Sequence, residues 1–136
     1  MKAAVIGAGM MGRAAAYDLV HNPEVERVKI IDQNPQSLGS LKTFLNSKKV
    51  ELDLRDIKNK SASKSLQGYD CAISCVPYTF NYKLAKEAIS AGCNFVDLGG
   101  NNEVVQQELS LHEEAKKKNV LVVPDCGLAP GLVSVL

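Results

Sequence analysis

The sequence is short of the residues on which much small-domain chemistry depends. It has four cysteines, Cys71, Cys75, Cys93 and Cys126, and no Cys-x-x-Cys spacing among them. That argues against a zinc knuckle or a thiol redox motif. Three of the four sit in apolar runs, where a reduced thiol behaves as a small hydrophobe. A cytoplasmic protein with free thiols, no disulfide and no metal site is expected. There are only two histidines, His21 and His112, and both fall where surface or helix-end positions are expected, so no evident acid–base residue is present. Charge of one sign is also lacking: 16 Lys and Arg face 15 Asp and Glu, a net charge of +1, with no basic stripe or acidic tail. Nucleic acid is therefore not an expected partner. No apolar run approaches the roughly 20 residues of a membrane span. Lys2 and the apolar residues after it imitate a secretory leader, but Gly7, Gly9, Gly12 and Arg13 interrupt the pattern. Internal repeats, linkers and low-complexity segments are missing as well.

What remains is an ordinary globular composition, 46% hydrophobic over 136 residues, enough for one domain that buries roughly two-thirds of its unfolded surface. Six apolar runs read as strands: Ala3–Ile6, Val28–Asp32, Val50–Leu54, Asp70–Val76, Asn94–Leu98 and Val120–Val123. Helices are predicted between them, over Met10–Val20 with Met11, Ala15 and Leu19 inward, and from Asn34-Pro35 to about Asn46. A short helix or turn is expected at Ser61–Leu66, then helices from Thr79 or Phe80 to Ala91, with Leu84, Ala85, Ala88 and Ile89 inward, and from Glu103 to Lys118. Strand–helix alternation implies right-handed crossovers and an α/β fold, a doubly wound six-stranded parallel sheet of order 3-2-1-4-5-6. A ligand then sits beyond the carboxyl ends of the strands, where the order reverses.

The first strand runs into Gly7-x-Gly9-x-x-Gly12, and Asp32 ends the next strand twenty residues later. In that context the glycines form a dinucleotide-binding fingerprint. Gly7 allows a tight turn, Gly9 lets a pyrophosphate approach the backbone, and Gly12 lets the helix lie close. Met10 and Met11 fall in the first turn of a helix whose free N–H groups attract phosphate. Asp32 is placed to accept ribose hydroxyls and to repel a 2′-phosphate; Gln33 and Asn34 supply no compensating arginine, so NAD is expected over NADP.

Other strand ends complete the candidate set. Asp53 could contact an adenine amino group or be a plain turn acid. Cys75-Val76-Pro77 is expected near the nicotinamide ribose, through backbone carbonyls and not the thiol. Asp97-Leu-Gly-Gly100, with Gly99, reads either as a ligand-facing loop or as a turn before a helix capped by Asn101 or Asn102. Pro124-Asp-Cys-Gly-Leu-Ala-Pro-Gly131 is a rigid loop, and Gly131–Leu136 reads as the first turn of a further helix. Residues 1–131 are thus expected to be the NAD-binding domain, with 132–136 leading to a second, substrate-holding domain.

Gly7–Gly12, Val76-Pro-Tyr-Thr-Phe-Asn81, Val96-Asp-Leu-Gly-Gly100 and Pro124–Gly131 together resemble the N-terminal part of the saccharopine dehydrogenase-like family, over essentially the whole chain. Asp97-Leu-Gly-Gly100, and Ala129 where saccharopine-forming members usually carry an acid, are most similar to the lysine 6-dehydrogenase branch. The resemblance implies a Rossmann fold and oxidation of an amine carbon by hydride transfer to the nicotinamide. For lysine the products are 2-aminoadipate semialdehyde and ammonia. It places Asp97 and Cys126 at the nicotinamide end, with Asp97 as a candidate proton-transfer residue. It also implies a small amino-acid substrate and a homo-oligomeric full-length protein. The 136-residue chain by itself is expected to bind NAD weakly and to turn nothing over. Alternatives are a saccharopine or carboxyalkyl-polyamine dehydrogenase and, in another class, a stand-alone nucleotide-sensing module.

Overall fold

A computed structural model describes all of residues 1–136. Six strands form one parallel sheet: β1 (Lys2–Ile6), β2 (Arg27–Asp32), β3 (Val50–Leu54), β4 (Cys71–Ser74), β5 (Asn94–Asp97) and β6 (Val122–Val123). Their order is β3-β2-β1-β4-β5-β6, as the strand–helix alternation predicts. The register places Val5 between Ile30 and Ile73. Ile73 in turn faces Val96, and Val96 faces Val123.

Both faces of the sheet are covered, which is why the strands are apolar on consecutive residues instead of alternating. On one face Val5, Val28 and Ile30 pack under α1 (Met10–His21) and α2 (Pro35–Leu45), through Ala16, Val20, Leu38 and Leu41. On the other, Ala4, Ile6, Ile31 and Phe95 meet α3 (Ser63–Leu66), α4 (Asn81–Ala91) and α6 (His112–Lys118), through Leu66, Leu84, Ala88, Ile89 and Ala115. The reversal of strand order at β1 leaves β1 and β4 side by side at the point where a doubly wound sheet opens a crevice.

Three sequence expectations are revised. The inward face of α1 is Gly12, Ala16 and Val20, one residue on from the predicted set, and Met11 is exposed. The helix predicted over Glu103–Lys118 is two, α5 (Asn102–Leu109) and α6. Ser110 Oγ donates to the Gln107 carbonyl at 2.6 Å, and Leu111 leaves helical geometry at ψ 1°. A serine bonding its own backbone competes with helix continuation, and the break turns Leu111 into the core. Beyond Gly131 the chain makes one 3-10 turn, Leu132–Ser134. No helix is long and apolar enough to cross a membrane.

Candidate functional site

The glycine loop divides its work among its three glycines. Gly7 has φ 105°, and a Cβ there would lie 2.8 Å from the Cys75 carbonyl oxygen. A Cβ on Gly12 would drive into the Gly7 carbonyl, so Gly12 sets how closely α1 approaches the loop. Gly9 is different: nothing lies within 4 Å of a Cβ placed on it. The space over Gly9 is open, and Gly9 is the N-cap of α1 with no side-chain cap and no acidic residue in the first turn. The contrast with neighbouring helices is direct. Asn34 caps α2 by accepting from Gln36 and Ser37 N–H, and Asn101 caps α5 by accepting from Glu103 and Val104 N–H. Only α1 of these three leaves its end N–H groups unclaimed by a side chain. Met10 and Met11, in that first turn, are both exposed.

Asp32 is tied into this loop. Its Oδ2 accepts from Ala8 N–H at 2.7 Å, and its Oδ1 from Asn34 N–H at 2.8 Å. The carboxylate thus links the glycine loop to the start of α2 while each oxygen keeps a second lone pair. A hollow of about 180 Å³ lies beside it, lined by Ile6, Ile31, Asp32, Arg55, Ile57, Lys58, Val76, Pro77 and Phe80. A second, of about 410 Å³, flanks Gly9 between α1 and α2, with Arg13, Asn34, Ser37 and Ser40 on its walls. Arg13 is held 3.8 Å above the Phe44 ring.

Val76 and Pro77 line the hollow beside Asp32, and Tyr78, next along the same loop, lies against Gly100, so this loop runs between the two ends of the cleft. Cys75 is half-buried and desolvation pushes its thiol up to about 11, so it stays protonated. Asp53 is already engaged: it accepts from Arg55 Nε at 3.1 Å and from Ser65 Oγ. Of the two roles open to it from sequence, the structural one matches this arrangement.

At the far end of the cleft the loops after β5 and β6 are packed closely against each other. A Cβ on Gly99 would strike the Asp125 carboxylate, and one on Gly127 the Leu98 carbonyl. Asp97 is fully buried. Its Oδ1 accepts from Gly99 N–H at 2.6 Å and from Asp125 N–H at 3.4 Å, and its carbonyl accepts from Cys126 N–H at 2.8 Å. A proton-transfer role at a substrate does not fit a carboxyl so enclosed; its observed work is to anchor two loops. Cys126 is exposed, and burial and the nearby Asp97 and Asp125 carboxylates raise its thiol above the ordinary range. The sequence missed Glu108 altogether. It is 2% exposed, and burial, then Asp97 and Asp125, push its carboxyl far above the usual glutamate range. Val104, Glu108, Leu111 and Ala115 fall on one helical face, and that spacing carried the signal.

A model of the saccharopine dehydrogenase NADP binding domain family matches residues 3–123. The chain belongs to that family. It is a nucleotide-binding domain of the saccharopine dehydrogenase type. Among curated relatives, the meso-diaminopimelate D-dehydrogenase of Bacteroides fragilis is 26% identical over 137 residues, covering 100% of this chain and 42% of the relative. The Saccharomyces cerevisiae saccharopine dehydrogenase of the NADP(+), L-glutamate-forming type is 25% identical over 128 residues, covering 94% of this chain and 27% of the relative. The chain thus spans less than half the length of either. The fold is shared with the apo saccharopine dehydrogenase (L-Glu forming) of S. cerevisiae, with TM-score 0.80 and 24% identity over 97% of this chain and 28% of that one. It is also shared with GenD2 from gentamicin A biosynthesis, solved with NAD, at TM-score 0.69 and 19% identity over 91% of this chain and 34% of that one.

Proposed function

We propose that this chain is the cofactor domain of an NAD-dependent amino-acid dehydrogenase that oxidises an amine carbon, with the 6-amino group of lysine as the first substrate to test. The observation that carries the cofactor reading is the amino end of α1, a helix of 12 residues whose N-cap is a glycine with open space above it and no capping side chain. Free N–H groups and the helix dipole there suit a diphosphate. The hollow beside Asp32, walled by Ile6, Ile31, Ile57, Val76 and Pro77, suits a flat apolar-faced base such as adenine. When bound, the dinucleotide supplies the hydride acceptor.

Asp32 carries the preference for NAD. Its two oxygens are oriented by backbone N–H groups and can each accept a further hydrogen bond from a ribose hydroxyl. No lysine or arginine closes an ion pair with it, so its charge works against a 2′-phosphate; Arg55 and Lys58, on the walls of the same hollow, are the cations that would work for one. The family description names NADP, and the choice between the two is therefore the first measurement to make.

The substrate class rests on the Asp97–Gly100 and Pro124–Gly131 loops and on two relatives named as amino-acid dehydrogenases. Saccharopine and diaminopimelate, which those relatives' names carry, are the competing amines.

Titration calorimetry of the 136-residue chain with NAD and NADP tests the cofactor. The expected result is NAD tighter by about tenfold or more, a difference of ~1.4 kcal/mol. Tighter NADP overturns the Asp32 argument, and no binding of either overturns the reading. Reduction of NAD by a longer protein containing this domain, with lysine, saccharopine and meso-diaminopimelate in parallel, tests the substrate. Turnover with saccharopine and none with lysine removes the lysine assignment.

A further inference from the structure

Three carboxyl groups converge where the loops after β5 and β6 meet, and no base accompanies them. Asp97 Oδ2 and both Glu108 carboxyl oxygens are buried without a hydrogen-bond partner. Asp97 is 0% exposed and Glu108 2%. Two ionised carboxylates enclosed together, with three of their four oxygens lacking a donor, repel each other, and each loses its hydration. One proton resolves both problems, because a carboxylic acid donates where a carboxylate can only accept. A metal ion is not the alternative, since no group of three or more His, Cys, Asp or Glu side chains is placed to hold one.

No cation nearby bonds the orphaned oxygens of either carboxyl. Across the gap stand Asp97 on β5 and Asp125 after β6, and Cys126 lies near those two carboxylates. On α6, His112 and Lys116 line the groove that Glu108 also touches, but neither bonds it, and His112 lies 3.8 Å from Glu113 instead. On α4, Lys83 donates to the carbonyls of Ile57 and Lys58, Glu87 accepts from Ala62 N–H, and Lys86 stands 5.6 Å over the Tyr82 ring.

We propose that Glu108 is a positioning residue: in its neutral acid form it donates to Asp97 Oδ2 and so holds the Leu98–Gly100 and Asp125–Gly131 loops together. Asp97 is the hub of that closure. Its Oδ1 already takes the Gly99 and Asp125 N–H groups and its carbonyl takes Cys126 N–H. Fixing Oδ2 with a proton from Glu108 orients the whole carboxyl. Losing that proton places two charges in a closed space, and the loops part. That these loops border the nicotinamide rests on the function proposed above; the closure itself does not.

Amide hydrogen exchange of the intact 136-residue chain tests this, comparing about pH 6 with about pH 9 after correction for intrinsic exchange. Protection of the segments around residues 97–101 and 124–128 is expected to fall roughly tenfold or more at the higher pH, while the α1–β2 region holds its own. Glu108→Gln, whose carboxamide donates to Asp97 at every pH, is expected to keep protection at both. Glu108→Ala is expected to lose it at both. Equal protection of the wild-type loops at the two pH values overturns the proposal, as does a pH response in Glu108→Gln matching the wild type's. The wild-type comparison stands alone if either variant fails to fold. NADH and ADP-ribose titrations in the same samples separate the two claims. A pH-dependent affinity for NADH but not for ADP-ribose places the loops at the nicotinamide. Failure of both ligands to bind removes the proposed function and leaves the exchange result to decide the role of Glu108.

Discussion

The two ends of the cleft use the same residue types for opposite purposes. At the β1 end, glycine and aspartate leave something open: Gly9 has free space above it, the end of α1 has no cap, and Asp32 sits partly accessible with lone pairs to spare. At the β5–β6 end, glycine and aspartate close something: Gly99 and Gly127 let backbone lie against neighbouring loop atoms, and Asp97 is buried beneath them. A glycine pair after a strand therefore does not by itself mark a ligand. The discriminating observation is what a side chain would strike: nothing at Gly9, protein atoms at Gly12, Gly99 and Gly127. Even within one fingerprint the distinction holds, since Gly9 leaves room for a ligand and Gly12 leaves room for the protein.

The largest effect expected follows from that distinction. Gly12→Ala forces a Cβ into the Gly7 carbonyl, and backbone cannot rotate away as a side chain can. A loss of about 1–3 kcal/mol is expected, read as a lower urea midpoint with an unchanged slope. Stability equal to wild type would mean that α1 shifts freely on the loop, and the comparison of Gly9 with Gly12 would collapse.

Asp32→Ala comes next. It strands the Ala8 and Asn34 N–H groups, at a cost of about 1–3 kcal/mol if they stay dry and less if water reaches them. It also removes the charge that disfavours a 2′-phosphate. Affinity for NAD is expected to fall, and the ratio of NAD to NADP affinity to move toward unity. A fall in stability with an unchanged ratio would make Asp32 a loop tie alone.

The closing end should show itself through pH. Glu108 titrates in the folded chain at about 8, above its ordinary value of 4.5. A raised pKa in the folded state favours folding at low pH, where the proton is bound in both states. That stability is lost as pH rises from about 4.5 through about 8 and is gone above it. The urea midpoint of the wild type should therefore fall across this window, and that of Glu108→Gln should fall less. Parallel curves would show that the carboxyl pair does not store the proton.

How much of this was legible in the sequence also divides by end. The sheet order and the glycine loop could be read because strand–helix alternation and an open glycine leave unmistakable patterns. The inward face of α1 was misplaced by one residue because Gly12, the residue nearest the loop, has no hydrophobic side chain to count. Glu108 was invisible for the converse reason: a charged residue is assigned to solvent by default, although its spacing from Val104 and Leu111 puts it inward. The helix break at Ser110 depends on one side-chain hydrogen bond that competes with the helix. Asp53 has the right position to meet a ligand, but Arg55 and Ser65 have taken its carboxylate. Motifs announce what is left unsatisfied, whereas pairings across elements appear only once the chain is folded.

The smallest effect tests the open end most directly. Gly9→Asp places a carboxylate at the N-cap of α1, in the role that Asn34 fills for α2 and Asn101 for α5. There is space for it, because nothing lies within 4 Å of the new Cβ, and φ −73° suits any residue. A side-chain acceptor at the N-cap and a negative charge at the helix amino end both stabilise, so a gain of a few tenths of a kcal/mol up to about 1 is expected in the free chain. The same carboxylate occupies the N–H groups a diphosphate would use and repels it, so NAD affinity should fall steeply. A more stable chain that binds less is the expected signature of a helix end left uncapped for a ligand. A variant that gains stability and keeps its affinity would show that the missing cap on α1 has no bearing on binding.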